Sequence, residues 1–197
     1  MKHYFIIGIL ILILQSCTSH QKQNSPVLDE NEKKADSFFP VTSFIKGQIL
    51  ILDSLPITPL QITTIKDKKD STWLPKNELK DLLKPFLDPM INETNLRKYF
   101  NETKFQDQTL NAVTFTYDPI IKIPDSITLR HWDVYIEPET GKVAKVYLVK
   151  NLNEQNKSYT QQLTWHTDKL AKITTLLNKS DGSMELIKEV VFIWDFN

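Results

Sequence analysis

The sequence predicts an α+β domain, in which two or three N-terminal helices pack on a mainly antiparallel meander sheet of about six to eight strands. Two observations lead to this prediction. Before about residue 100, apolar residues recur mostly with the roughly 3.6-residue period of a helix, whereas after about residue 103 they alternate as in a strand. Helical segments that precede a run of strands, instead of alternating with them, are typical of the α+β class.

The first predicted helix covers Val41–Ser54, because its apolar residues recur on one face and Pro40 lies near its start. The sequence LPITP at residues 55–59 must end this helix. A short hairpin follows, since the next apolar residues alternate on either side of a charged turn. Its first strand, turn and return strand are predicted at residues 60–65, 67–70 and 71–74.

Two further helical segments are predicted after this hairpin. Pro75 suits the first position of a helix, and Pro85 is expected to shorten or kink that helix. Asn92 can cap a helix N-terminus with its side chain, so a third segment is expected to begin there. The inward-facing residues of this third segment are predicted to be Leu96, Tyr99 and Phe100.

Six later segments alternate like strands and are separated by short polar turns. These segments are residues 111–117, 129–137, 143–150, 158–165, 170–177 and 184–195. Gly141 ends one of the turns, at a position that requires a positive φ. Sequential strands joined by such short turns pair in the antiparallel direction, which predicts a meander.

The N-terminus carries the most specific motif in the chain. Residues 4–14 (YFIIGILILIL) form an apolar run directly after a short basic start. As a helix this run is about 16 Å long, too short to cross a hydrocarbon layer of about 30 Å, but typical of a signal peptide. Leu14-Gln15-Ser16-Cys17 follows, and it resembles the lipobox of bacterial lipoproteins. The resemblance implies cleavage after Ser16, a diacylglyceryl thioether on Cys17 and acylation of the new amino group.

The lipobox divides the chain into three parts. Residues 1–16 are the predicted signal peptide, residues 17–37 the lipidated cysteine with a flexible tether, and residues 38–197 a single folded domain. Two or three acyl chains anchor a protein stably, so a membrane is the first predicted partner. The five residues after Cys17 contain no acid. By resemblance to lipoproteins of the Bacteroidota, this indicates a protein that faces the periplasm from the outer membrane.

Composition excludes several classes of function. Cys17 is the only cysteine, so an internal disulfide, thiol catalysis and a cysteine-based metal site are excluded. The 24 basic and 24 acidic residues balance, which argues against a nucleic-acid partner. Only four glycines occur, and neither a P-loop nor a dinucleotide-binding pattern is present. No cofactor is therefore predicted.

Two short runs place a histidine near a carboxylate. They contain His131 with Asp133, and His166 with Asp168. These four residues are candidate ligands of a two-histidine metal site, although exposed polar residues beside a core tryptophan are the favoured interpretation. If Trp132 faces the core, His131 and Asp133 point to the opposite face. The sequence contains no G-x-S-x-G motif, the nucleophile elbow that would support serine hydrolase chemistry.

Several late strands carry apolar or aromatic residues on both faces. Ala144, Val146 and Leu148 are predicted to lie on one face of their strand, and Val143, Tyr147 and Val149 on the other. The four tryptophans, Trp73, Trp132, Trp165 and Trp194, are expected to pack in the core or on a sheet face. The second face needs a cover, or it is an apolar patch of the kind that marks interaction sites. Tyr135, Tyr147 and Val149 are the candidate binding residues.

The sequence therefore favours a lipid-anchored envelope protein without catalysis, which either binds a ligand or an envelope protein or has a structural role. Beyond the lipobox, it resembles small lipoproteins of the Bacteroidota. Two alternatives stay open: a periplasmic hydrolase that uses His131 and His166 with nearby carboxylates, and an inhibitor of a cell-wall enzyme. Ser54 and Ser126 follow aspartates in a pattern that resembles an O-glycosylation sequon of that phylum, although Asp-Ser is also common in turns and caps.

Overall fold

The computed structural model describes residues 38–91 and 96–195. The predicted signal peptide, Ser16, Cys17 and the tether lie outside these residues, as do Asn92 and its three successors. From Ser37 onward the chain forms one unit of its own.

Nine strands form a single antiparallel sheet with the order β2-β1-β9-β8-β7-β6-β5-β4-β3. Strands β3 to β9 follow one another as a meander, and the β1–β2 hairpin is added beside β9. The predicted antiparallel meander is confirmed, with one strand more than expected. The strands are β1 (Leu60–Ile65), β2 (Lys68–Trp73), β3 (Phe100–Asp107), β4 (Ala112–Pro119), β5 (Leu129–Ile136), β6 (Val143–Glu154), β7 (Lys157–His166), β8 (Leu170–Asn178) and β9 (Met184–Ile193).

Helices contribute less than the sequence predicts, so the fold is mostly β. The described ranges contain the α-helices α1 (Val41–Ser54) and α2 (Lys76–Leu82) and a 3₁₀ turn at Lys84–Phe86. The tighter turn contains Pro85 and follows the end of α2 directly, as predicted for a proline that shortens a helix.

Helix α1 has the predicted bounds because the spacing of its apolar residues and the residues at its two ends indicate the same segment. Val41, Ile45, Ile49 and Leu52 are buried and recur at helical spacing. After Ser54 the backbone becomes extended at Leu55, with φ −79° and ψ 145°. Leu55 precedes a proline, whose ring disfavours helical geometry in the residue before it.

The prediction that Phe100 belongs to a third helix is wrong, because Phe100 is the first residue of β3. Phe100 and Leu96 are buried as expected. Strand β3 pairs with β4 along its whole length, from Phe100 opposite Pro119 to Asp107 opposite Ala112. It is an edge strand whose other residues are largely exposed, so its sequence lacks the apolar alternation that identifies a strand.

The first hairpin turns earlier than predicted. Ile65 pairs with Lys68, so the turn consists of Lys66 and Asp67, and Lys66 adopts a φ of 52°. The four charged residues at 67–70 suggested a longer turn, but most of them belong to β2, which is exposed throughout. Gly141 has the positive φ that was predicted, at 68°.

The core lies between the helices and one face of the sheet. The Trp132 ring stacks on Tyr117, with their centroids 4.4 Å apart, and Phe38 contacts both rings edge-on. Farther along the sheet, Trp165 contacts Phe86 from the 3₁₀ turn and Trp194 from the end of the chain. Trp73 does not belong to this core, because it lies on edge strand β2 and is 61% exposed.

The face predicted for Val143 is also wrong. Val143 is buried in the same core as Val146. The register between β5 and β6 is irregular at this point, with Lys145 opposite Tyr135 but Val143 opposite Ile136. An irregularity of this kind adds a residue to one strand and reverses the alternation beyond it.

Candidate binding face of the sheet

The sheet face opposite the buried tryptophans, here named the outer face, carries polar and aromatic side chains from four neighbouring strands. Backbone register aligns Thr116 of β4 with Asp133 of β5, and Asp133 with Tyr147 of β6. Thr164 of β7 continues the row beside Tyr147. Since cross-strand neighbours have their Cβ atoms about 5 Å apart, the register alone brings these side chains together.

His131 lies between two carboxylates on this face. Its Nδ1 is 2.8 Å from Oδ1 of Asp118, and its Nε2 is 3.0 Å from Oδ2 of Asp133. Tyr147 packs its ring near the imidazole, with the two centroids 6.3 Å apart. Both ring nitrogens therefore contact a carboxylate oxygen, which is the arrangement expected for a protonated imidazolium.

Asp133 is buried but well supplied with donors. Thr116 donates its hydroxyl to Oδ1 at 2.7 Å, and Tyr135 donates its hydroxyl to Oδ2 at 3.3 Å. The His131 contact adds a third partner, and the residue is only 8% exposed. A buried carboxylate is tolerable when such hydrogen bonds replace its lost hydration.

These contacts change the acidity of the groups. The hydrogen bond to Asp133 is the main cause that raises the pKa of His131, against a smaller opposing effect of burial. Burial alone would raise the pKa of Asp133, but the hydrogen bonds from His131 and Thr116 outweigh it and lower that pKa. Burial, helped by the charge of Asp133, raises the pKa of Tyr135 to about 12. At neutral pH Asp133 is therefore charged and Tyr135 keeps its proton.

A cation lies beside this network. The Nζ of Lys145 is 3.6 Å from the centroid of the Tyr135 ring, at the distance of a cation–π contact. His166 is the next residue in the same row, opposite Lys145. Burial is the main cause that lowers the pKa of His166, and the charge of Lys145 lowers it further. The two histidines of the outer face thus have opposite electrostatic surroundings.

The two histidines do not meet in the structure, although they share a face as predicted. His131 aligns with Val149 and then with Gln162, which precedes His166 by four positions on β7. At about 3.3 Å per residue and about 4.8 Å per strand, the separation is about 13 Å along the strands and about 10 Å across them. Asp168 is exposed in the following turn, with a φ of 60°.

A site that joins His131 and His166 to one metal ion is therefore not assembled. Across residues 38–91 and 96–195, no group of three or more histidine, aspartate or glutamate side chains is placed to hold a metal ion. His166 was predicted to belong to a turn, but it is the last residue of β7 and pairs with Leu170.

The three candidate binding residues lie together on the outer face. Tyr135 lies two residues from Asp133 on β5, and Tyr147 lies opposite Asp133 on β6. Val149 lies two residues beyond Tyr147 on the same strand. All three are half-buried. Sequence reasoning missed Thr116 and Asp118, although alternation along β4 would place both on one face. It could not have placed them beside His131, because that requires the β4–β5 register.

Both candidate glycosylation serines are exposed. Ser54 lies in the last turn of α1, where its hydroxyl donates to the carbonyl oxygen of Ile51 at 2.6 Å. Ser126 lies in the connection between β4 and β5. Glycosylation at either position stays a prediction.

None of the helices in the described part of the chain is long and apolar enough to span a membrane. No protein-family model, curated protein or solved structure matches the chain. The lipobox and the geometry of the sheet are therefore the two features of this chain that bear on its function.

Proposed function

We propose that this chain is a lipid-anchored protein of the bacterial envelope, and that its outer sheet face binds an envelope protein or ligand without catalysis. The lipobox supports the anchor. The proposal includes the predicted location, in which the anchor lies in the outer membrane and the domain faces the periplasm. The binding role is supported by one structural observation, the hydrogen-bonded network around Asp133.

The network holds aromatic side chains in fixed positions on a half-buried face. Tyr135 is held by its hydrogen bond to Asp133 and by Lys145 above its ring. Tyr147 lies on the other side of Asp133, near His131. Tyrosine combines a large apolar ring with a polar hydroxyl, which explains its enrichment in interfaces. Side chains that are already ordered lose less entropy on binding, so such a patch favours association.

The same geometry gives less support to the hydrolase alternative. A histidine that acts as a general base needs a free nitrogen lone pair within reach of the proton that it removes. In His131 each ring nitrogen contacts a carboxylate, and His166 is too far away to share a reacting group with it. Binding is therefore the function that this face supports best.

The anchor is tested by replacing the lipidated cysteine. We expect Cys17→Ser to abolish labelling by an alkyne fatty acid and to leave the precursor at its uncleaved size, because serine lacks a thiolate nucleophile. Ser19→Ala is the matched control and should be labelled and processed normally. Labelling of the Cys17→Ser protein at the size of the processed wild type would refute the lipobox assignment.

The binding face is tested by photocrosslinking in intact cells. A benzoylphenylalanine at position 147 or 149 should give the same crosslinked species, whereas one at the exposed position of Met184 should not. With the probe at position 149, Tyr147→Asp should abolish that species. Identical products from position 184, or products unaffected by Tyr147→Asp, would rule out this face.

A further inference from the structure

A separate apolar groove lies on the helical side of the domain, between α1 and α2. It has a volume of about 260 Å³ and is lined by residues of both helices and by Leu87. On α1 the lining begins at Lys46 and ends at Asp53, which corresponds to a length of about 10 Å at 1.5 Å per residue. The groove does not include any residue of the outer face.

The floor and one wall of this groove are apolar. Ile49, Leu52 and Leu79 form the floor, and each is less than 9% exposed. Leu50 lines the groove and is itself 67% exposed, which is unusual for a leucine in a helix that packs on a core. A ligand that covered Leu50 would therefore gain apolar burial that folding alone has not provided.

The charges at the rim are mainly positive. Lys46, Lys76 and Lys80 line the groove, against the single carboxylate of Asp53. Lys76 donates to the carbonyl oxygens of Asp53 and Leu55, and so ties α2 to the end of α1. Among the described residues, neither Lys46 nor Lys80 forms an ion pair. These two ammonium groups are available to an anion.

The volume of the groove limits the size of its ligand. The volume lies just below the range of about 300–1,000 Å³ that is usual for small-molecule sites. A groove of this volume, with an apolar floor and lysines at its rim, suits one hydrocarbon chain with an anionic end. Long lysine side chains can cover such a chain with their methylenes while their charged ends meet a carboxylate at the surface.

We infer that the groove between α1 and α2 binds a free long-chain fatty acid, with the carboxylate near Lys46 and Lys80 and the half of the hydrocarbon chain next to it on Ile49, Leu50 and Leu79. This inference does not depend on the function of the outer face. It follows from an exposed leucine over an apolar floor and from two unpaired cations at the rim of the same groove.

The test uses the full chain in membranes isolated from cells that express it. A palmitic acid with a mid-chain diazirine is added and illuminated, and labelled peptides are identified by mass spectrometry. We expect labels in the peptides of α1 and α2. Leu50→Glu should reduce this labelling about tenfold, because it removes apolar contact and places a negative charge beside the ligand. Since Leu50 is exposed, the variant should fold normally.

Charge selectivity is tested in parallel. The double variant Lys46→Gln with Lys80→Gln should lower labelling by the acid about fivefold, and labelling by the matching photoreactive alcohol much less. Met184→Glu is the control, because it changes a similarly exposed apolar residue on β9. Equal labelling of the Leu50→Glu, Met184→Glu and wild-type proteins would overturn the inference. So would labelling that appears only after Cys17→Ser, since the chain's own lipid would then occupy the groove.

Discussion

The two faces of the sheet each bury one charged residue, but they compensate for it in different ways. Asp133 on the outer face and Lys150 on the core face are the buried charged side chains in the described part of the chain. Asp133 contacts side chains from its own and the neighbouring strand. Lys150 instead donates its Nζ to the carbonyl oxygens of Pro85 and Asp88, in the segment after α2.

The difference shows how the two faces are stabilised. The partners of Asp133 are positioned by strand register, so its network forms whenever β4 and β5 pair. The partners of Lys150 lie more than 60 residues away in sequence and belong to a segment without regular strand pairing. Lys150 therefore ties that segment to the sheet.

The largest expected difference is between an aromatic residue on each face. Trp132→Ala should lower the free energy of unfolding by about 3–5 kcal/mol, because it leaves a cavity among Tyr117, Phe38 and Phe100. Tyr147→Ala on the half-buried outer face should cost about 1 kcal/mol. Urea unfolding of both variants measures the difference. Similar losses would mean that the outer face packs as tightly as the core.

The second prediction concerns the buried lysine of the core face. Burial lowers the pKa of Lys150 to about 8, against about 10.4 for an unperturbed lysine. Between these values the unfolded chain binds more protons, so stability should rise with pH by about 2 kcal/mol from this group. Lys150→Met should remove that part of the rise. Parallel urea titrations at pH 7.5 and 10 test this, and identical pH dependence in both proteins would contradict it.

The third prediction concerns the buried carboxylate of the outer face. Asp133→Asn removes a charged acceptor and leaves at least one of its donors without a good partner. We expect it to lower the free energy of unfolding by about 1–2 kcal/mol. Asp118→Asn should cost less than about 1 kcal/mol, because that carboxylate is 62% exposed. If the two changes cost the same, burial of Asp133 does not matter.

The smallest expected effect is the pH dependence that His131 contributes. Since folding raises the pKa of His131, its stabilising effect is present below about pH 6.5 and is lost as pH rises through the folded pKa. Because folding lowers the pKa of Asp133, the stability that this carboxylate contributes is lost only when the pH falls into the acidic range. His131→Asn should therefore lose about 1 kcal/mol more at pH 5.5 than at pH 8.5. A pH-independent loss would show that the imidazolium pairs are too weak to matter.

The local sequence pattern was sufficient to predict an element where the apolar period and the residues at its ends indicate the same bounds. The bounds of α1 and β1 follow from the sequence, because an amphipathic period ends at prolines in one case and at a turn in the other. Pattern failed at β3, an edge strand without an apolar face, and at Val143, where a register irregularity reverses the alternation. In both places a neighbouring strand, not the local sequence, determines the conformation.

The candidate face was predictable in part. Alternation along β5 correctly places His131, Asp133 and Tyr135 opposite Trp132, because successive strand residues point to opposite faces. It does not reveal that Asp118 and Asp133 enclose His131, or that His166 is far from both. Those facts depend on which strands are neighbours and on their stagger.

The sequence by itself determined the lipobox expectation, the order of most helices and strands along the chain, and the division of most strand residues between two faces. Hydrophobic periodicity and short turns are local properties, so they can be read along the chain. Tertiary structure alone decided that the first hairpin joins the last strand, that Asp133 is buried among hydrogen-bond donors, and that Lys150 reaches the carbonyl oxygens after α2. Each of these results requires distant segments to meet, and their contact energies outweigh what any one segment specifies.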